Sequence, residues 1–351
     1  MSGSSLDGLD IALVELTEQR GAWSYAFMAT ECVPYSPEWS ADLVRAPQMA
    51  VPDFLRLHTR YGQYLGEQVT AFIERNNLHH KVHFIASHGH TVFHEPATKT
   101  TSQIGCGAAI AAATSLPVIT DLRALDVALG GQGAPIVPIG DKLLFGPYPY
   151  LLNLGGIANL TIQNSDNRLA FDIGPANAVL NRLAMREGKA FDEAGALAQS
   201  GNLLPEVVAA LDRGDYFRKM PPKSLSNAEA LDLGKVVLED GAAATTDLLH
   251  SFSHHLAGQI AEAVAWFGNG AGELLVTGGG AHNAFLISLL REKLQPLGVE
   301  VVIPEKSLVD FKEALVMALI GTLRWREEEN VLQAVTGAAR SSVGGALWLG
   351  N

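Results

Sequence analysis

One carboxylate at the end of an apolar run has the setting of a chemical group. In Phe171-Asp172-Ile173-Gly174-Pro175-Ala176-Asn177, Arg168 to Phe171 reads as a short strand, Gly174-Pro175 as its break, and Asn177 to Met185 as a helix with apolar residues at helical spacing. This predicts Asp172 at the mouth of a strand-to-helix turn. There the free amides of the next helix attract phosphate, and a held carboxylate can act as a general base. Aspartate also ties down turns by accepting from its own backbone, and the stretch by itself leaves both roles open.

Other segments carry reactive types at suggestive spacing. Met1 to Asp10 is a small-residue loop whose amides and hydroxyls can close on an anion while Asp7 or Asp10 holds a cation; a loose terminus has the same composition. A strand from Lys81 to Ser87 delivers His88-Gly89-His90, then His94, to a loop. Such histidines bind a metal, as in barrel hydrolases, or stay neutral and orient a polar substrate. Gly105-Cys106-Gly107 with Asp121 resembles part of a dinucleotide fingerprint, but Thr100 to Gln103 is a poor first strand and Ile110 stands where the third glycine belongs. Gly130-Gly-Gln-Gly-Ala-Pro135 is a loop fixed close to a ligand or a hinge. The basic stretch Lys219 to Asn227 is either a loop near phosphates or an exposed turn. Gly278-Gly-Gly280, between strand and helix, lets a flat or anionic ligand reach the backbone. Asp310 to Glu313 opens an apolar helix, where acidic residues suit the dipole unless Glu313 turns into a cleft.

The elements that must position these groups follow from patterning. Strands are predicted at Ile11–Leu16, Trp23–Ala29, Leu116–Thr120, Tyr150–Leu154, Ala158–Gln163, Glu273–Thr277 and Glu300–Ile303. Helices are predicted from Asp53, from Thr246 and over Ala284–Leu294. Strand-turn-strand units open both halves, which suggests an internal structural duplication. A chain of 351 residues with 48% hydrophobic and 18% charged content is that of a folded protein with two domains. The division is placed at 1–146 and 147–351, with the last helix able to pack back on the N-terminal lobe. The net charge of −12 argues against nucleic acid or an acidic membrane as the main partner. Two cysteines, Cys32 and Cys106, form neither a disulfide framework nor a zinc cluster, which suits a cytoplasmic protein. The acidic first twenty residues do not read as a secretory signal.

Taken in order, Gly3-Ser-Ser-Leu-Asp-Gly-Leu-Asp10, Ser87-His-Gly-His-Thr91, Gly130 to Pro135, Asn153-Leu-Gly-Gly-Ile-Ala-Asn-Leu160, Asp172 to Asn177, Gly278-Gly-Gly-Ala-His-Asn283 and Val335-Thr-Gly-Ala338 strongly resemble the anhydro-N-acetylmuramic acid kinases of peptidoglycan recycling. The resemblance covers essentially the whole chain. It implies an α/β architecture of the two-lobed actin-like, ribonuclease-H-like sugar kinase type, with mixed sheets flanked by helices and ATP in a cleft between the lobes. It further implies that ATP and water convert 1,6-anhydro-N-acetylmuramic acid to N-acetylmuramic acid 6-phosphate and ADP. On this resemblance Asp172 is the base, and Gly3, Ser4, Ser5, Leu6, Asp7, Gly8, Leu9 and Asp10 are the phosphate loop, with Asp7 holding Mg2+ through water. Gly155 and Gly156 form the opposing phosphate turn, and Gly278, Gly279 and Gly280 take the nucleoside side. Arg123, Glu313, His88 and Asn177 are the sugar-binding candidates, and a homodimer is implied.

The chain departs from the family pattern in three places. Gly3-Ser4-Ser5 replaces Gly-Thr-Ser and keeps a hydroxyl. Ile173 and Ala176 replace the Thr and second Gly of Thr-Gly-Pro-Gly-Asn, so the donors around Asp172 are expected to differ. The family also carries a strand ahead of Met-Ser-Gly, and Ile11–Leu16 is therefore expected to lack its hairpin partner. A non-catalytic actin-like nucleotide-binding or regulatory protein is the competing reading, although it has no use for sugar-binding residues. A metal hydrolase on His88 and His90, and a nicotinamide-binding protein, follow behind.

Overall fold

The computed structural model describes residues 1–3, 6, 8–163, 168–221 and 223–350. The chain forms two compact units, one of Met1–Phe145 with Phe311–Asn351 and one of Gly146–Asp310. The segment from Phe311 onward groups with the first unit. The reason is apolar burial: Val316, Leu319, Ile320 and Leu323 share one cluster with Ile119, Leu122, Ile136 and Ile139, which removes their side chains from water.

The strands are β1 (Gly8–Gln19), β2 (Ala22–Pro34), β3 (Ile85–Ala86), β4 (His90–Glu95), β5 (Thr100–Ile104), β6 (Val118–Thr120), β7 (Tyr150–Leu154), β8 (Ile157–Gln163), β9 (Arg168–Pro175), β10 (Gly272–Thr277), β11 (Val299–Val302) and β12 (Ala346–Trp348). In the first unit β1 pairs antiparallel with β2 from Gly8↔Pro34 to Gln19↔Ala22. The expectation that this strand lacks a hairpin partner is overturned, because Gly21 at φ 83° permits a tight turn into β2. A second sheet runs β12-β6-β3, with β3 parallel and β12 antiparallel to β6. The strand expected over Lys81–Ser87 shrinks to Ile85–Ala86, and the poor candidate Thr100–Gln103 does form a strand, paired with β4. The helix Val51–Arg75 is capped by Ala50 with Pro52 in its first turn; Asp53, the expected cap, pairs instead with Arg56 at 2.7 Å. Its buried face carries Leu57, Tyr61, Leu65 and Phe72. At Gly62 a Cβ would lie 2.6 Å from the carbonyl oxygen of Cys106, so only glycine allows this approach.

The second unit is one mixed sheet in the order β11-β10-β7-β8-β9. Its antiparallel half is the meander β7-β8-β9, and its parallel half is β10 between β7 and β11. Leu152, Leu154, Leu160, Phe171, Leu274 and Val276 face the core. They meet Leu256 and Ile260 of the helix Thr245–Phe267 and Leu286 and Leu290 of the helix Ala284–Leu294. Each unit therefore opens on an antiparallel hairpin and later adds a parallel strand pair. The helix Lys306–Trp325 carries the chain from one unit into the other and leaves helical geometry at Phe311, where φ is −119° and ψ is 18°. Among the described residues no helix is long and apolar enough to cross a membrane.

Tyr150 ties the start of the sheet to the loop before β10. Its buried hydroxyl donates to the Gly270 carbonyl at 2.6 Å and accepts from the Asn269 amide at 2.9 Å. Removing it in Tyr150→Phe leaves both groups without this partner, a loss of about 1–3 kcal/mol. The expected result is a lower urea midpoint with an unchanged slope; an unchanged midpoint would show that the hydroxyl is dispensable.

Candidate functional site

Asp172 does not lie at a strand-to-helix turn. β9 continues through Gly174-Pro175, so Asp172 sits inside a strand, directly opposite Asn159 of β8 and beside a register shift at Ala158/Asn159. Strand alternation sends Phe171 and Ile173 into the core and leaves Asp172 on the other face. The Asn159 side-chain amide donates to Oδ1 at 2.9 Å, and the Leu225 backbone amide donates to Oδ2 at 2.9 Å. The Asp172 backbone is held as well: its N–H donates to Lys223 O at 3.1 Å, and its carbonyl accepts from the Tyr216 hydroxyl at 2.9 Å. Each carboxylate oxygen thus has one donor in place and further lone-pair capacity. The donor geometry that Ile173 put in doubt is supplied by Asn159 and Leu225, and a hydroxyl at position 173 would point away from the carboxylate.

The basic stretch Lys219–Asn227 is therefore the segment that closes against β9, not a free turn. Lys223 donates to Tyr216 O at 3.3 Å and lies 4.7 Å from the centroid of the Tyr216 ring. Partial burial, with Lys219 beside it, holds its ammonium below the usual lysine range. Pro222, in the middle of the stretch, lies outside the described residues.

The amides at the start of the helix Asn177–Arg186 are also not free. Ala176 N and Ala178 N donate to Gly156 O at 2.8 and 3.1 Å, and Asn177 N donates to Gly155 O at 3.1 Å. The expected phosphate-attracting helix start is corrected accordingly: the Gly155-Gly156 turn already satisfies these donors. Asn177 Nδ2 donates to Leu154 O at 3.0 Å. Gly278 adopts φ +81°, and a Cβ there would come within 2.6 Å of Asn153 Oδ1; at Gly280 a Cβ would come within 2.6 Å of Leu154 Cβ. Gly155-Gly156, Asn177 and Gly278–Gly280 thus form one corner beyond the carboxyl ends of the parallel strands β7 and β10, where open α/β sheets take ligands.

In the first unit the two ends of the opening segment are joined. Met1 N donates to Asp10 O at 2.7 Å, Asp10 N donates to Met1 O at 2.9 Å, and Ser2 bridges Leu9. Between these ends Leu6 takes φ 57°, and a Cβ at Gly8 would lie 2.7 Å from Val33 O. Ser4, Ser5 and Asp7 lie outside the described residues. His90 anchors the loop: its Nδ1 is 3.1 Å from Ser2 Oγ, which accepts from Tyr35 at 2.8 Å. Among the described residues no three His, Cys, Asp or Glu side chains gather to hold a metal.

Arg123, His88, Glu313 and Asp10 come together in this unit. Arg123 Nε donates to His88 Nε2 at 2.9 Å, and Nη1 donates to Gly133 O at 2.6 Å. His88 Nε2 is therefore the acceptor, and its Nδ1–H donates to Gly89 O at 3.1 Å, a tautomer assigned from the network. Burial, with Arg123 next in effect, pushes the His88 imidazole down to about 3. Burial also lowers the Arg123 guanidinium to about 10, against the opposing pull of Glu313. Glu313 is not in the acidic first turn, since its helix starts at Lys306. Burial, then Asp10, raises its carboxyl, and Arg123 works the other way.

The residues missed by pattern are Asn159, Tyr216 and the Leu225 amide. Asn159 was within a quoted motif, but a bulge in its pairing hid which residue it faces. The neutrality of His88 gives a pH prediction. Its folded value lies below the ordinary 6.5, so the unfolded chain binds the extra proton first, and stability falls as pH drops from about 6.5 toward 3. His88→Gln should flatten that part of the stability-pH curve; an unchanged slope would show that His88 is charged in the fold.

The sequence profile of the anhydro-N-acetylmuramic acid kinase family matches residues 1–350. Relatives named anhydro-N-acetylmuramic acid kinase include one from Rhodopseudomonas palustris strain BisB18, 38% identical over 322 residues that cover 86% of this chain and 85% of the relative. The one from Salinibacter ruber is 34% identical over 98% of this chain and 94% of its own, and that from Pseudomonas putida 36% over 84% and 83%. The (R)-2-hydroxyglutaryl-CoA dehydratase component A of Acidaminococcus fermentans aligns at a TM-score of 0.35 and 16% identity over 56% of this chain and 66% of its own, too slight a likeness to bear weight. Matched along nearly its full length by profile and by relatives alike, the chain belongs to the anhydro-N-acetylmuramic acid kinase family.

Proposed function

We propose that the protein uses MgATP and water to convert 1,6-anhydro-N-acetylmuramic acid to N-acetylmuramic acid 6-phosphate and ADP. The observation that carries this reading is the Asp172 carboxylate, gripped on both oxygens by Asn159 and Leu225 in a chain of this family. Opening the anhydro bridge requires a water to lose a proton as it attacks the anomeric carbon. A carboxylate fixed by two N–H donors can accept that proton without turning away. The bond from the anomeric carbon to the bridge oxygen breaks, and that oxygen, still on carbon 6, attacks the γ-phosphorus as ADP leaves. A positioned base is worth about 10²- to 10⁴-fold, and the rest comes from alignment and charge neutralisation.

The other roles follow from residue chemistry. Arg123 has three N–H donors left after His88 and Gly133, suited to the oxygens of an acidic amino sugar, and Glu313 offers acceptors for its hydroxyl or amide hydrogens. Neutral His88 holds the guanidinium in place without competing for its charge. Gly3, Leu6, Gly8, Leu9 and Asp10, with Ser4 and Ser5, form the phosphate loop. Asp7 is assigned to the magnesium of MgATP through water on the family resemblance alone. Gly155 and Gly156 serve as the second phosphate turn, and Gly278 to Gly280 border the nucleoside, where the absence of side chains admits a flat ring. Asn177 secures that corner through Leu154 and borders the substrate. Dependence on ATP supports work in the cytoplasm.

The test is the mass of the product. Purified protein with MgATP and the anhydro sugar should yield a sugar heavier by one phosphoryl group and one water. A folded protein that yields no such sugar would end the reading. Asp172→Asn should lower kcat by about 10²-fold or more while a non-hydrolysable ATP analogue binds almost as before; near-normal turnover would remove Asp172 from the role of base.

A further inference from the structure

Asp126 is a buried carboxylate that the reaction above does not use. It lies in the short helix Ala124–Ala128 and is 1% exposed. Among the described residues no cationic side chain pairs with it; its partners are neutral. Thr336 Oγ1 donates to Oδ1 at 2.7 Å, and the Gly133 amide donates to Oδ2 at 2.7 Å. A polar group taken out of water is costly unless it is hydrogen-bonded, and each oxygen of this carboxyl group has a donor. The surroundings are built for this contact. A Cβ on Gly131 would fall 2.3 Å from Asp126 Oδ2 and 2.8 Å from Ala338 Cβ, and one on Gly133, at φ +63°, 2.4 Å from Val127 Cγ2. Thr336 and its neighbours bind the same loop again: Gln132 N donates to Thr336 O at 2.8 Å, and Ala339 N to Leu129 O at 3.1 Å.

We propose that Asp126, braced by Thr336, is the positioning residue that sets the Gly130–Pro135 loop so that the Gly133 carbonyl holds the Arg123 guanidinium in its sugar-binding orientation. This assigns a role to the Val335-Thr-Gly-Ala338 motif, which the proposed chemistry leaves unused. The path is continuous. Thr336 fixes the carboxylate, the carboxylate fixes the Gly133 amide, and the next carbonyl of that loop accepts from Arg123 Nη1 at 2.6 Å. His88 holds Nε from the other side, so the guanidinium plane is set by two acceptors, only one of which belongs to a side chain. Loss of the brace frees the loop acceptor and leaves the plane to His88 alone.

The inference rests on the kinase reading above, and Thr336→Val is its first test. The change keeps the volume of the side chain and removes the donor. In an enzyme whose wild type phosphorylates the anhydro sugar, Thr336→Val should lower kcat/KM for the sugar by about 10-fold, the size of one lost hydrogen bond of about 1.4 kcal/mol. The KM for ATP should stay within about twofold, and calorimetry should register the same loss in sugar binding. Thr336→Ser, which restores the hydroxyl, should recover most of it. Asp126→Ala should exceed the loss in Thr336→Val, and if it does not fold, the Thr336 pair carries the test. A Thr336→Val enzyme equal to wild type would overturn the assignment. So would a parallel loss for both substrates, or a failure of Ser to rescue, since either marks a structural role only. A wild type inactive on the anhydro sugar sinks the kinase reading itself, whereas an active wild type with an unaffected Thr336→Val sinks this inference alone.

Discussion

A carboxylate held in a fixed orientation must be given donors, and each unit holds one in this way. Asp172 receives one N–H from a side chain on the neighbouring strand and one from a loop backbone. Asp126 receives a hydroxyl and a backbone amide. In neither case is the donor a cation, so orientation is set by directed hydrogen bonds and not by an ion pair that could follow the carboxylate as it moves. The pairing of β8 with β9 and the fold of the Gly130–Pro135 loop are the scaffolds that bring those donors into line.

Glycines that read as ligand contacts are in good part contacts of the chain with itself. Gly278 and Gly280 let the turn after β10 lie on Leu154, and Gly8 lets the opening loop lie on β2. Each of these close approaches leaves a stretch of bare backbone where it occurs. A Cβ at any of these positions would collide with the fold itself, so packing alone requires glycine there.

The Lys219–Leu225 segment has a comparable double character. Its lysines suggest a mobile cover, yet Lys223 is held between a carbonyl and aromatic faces, and its backbone neighbours both give to and take from Asp172. A loop that supplies a donor to Asp172 cannot move without changing what that carboxylate is bonded to. Order in this segment and the hydrogen bonding of Asp172 are therefore one condition.

The sequence alone determined the periodic elements: the strands β7, β8 and β10, the long helix ending at Phe267 and the helix after Asn283, because burial of alternate or every third and fourth apolar side chain leaves a local imprint. It also determined the order of motifs by which Asp172, Arg123 and Glu313 were picked out. Tertiary structure alone decided what each of these touches. Asp172 faces Asn159 because of a bulge, the helix start at Asn177 is closed by the turn at Gly155, β1 finds its partner in β2, and the chain after Phe311 joins the first unit. Such contacts join groups far apart in the chain, 13 residues for Asn159 and Asp172 and 210 for Asp126 and Thr336. Hydrogen-bond partners at that range leave no periodic trace in sequence, since the free energy that selects them exists only after the surrounding core has excluded water.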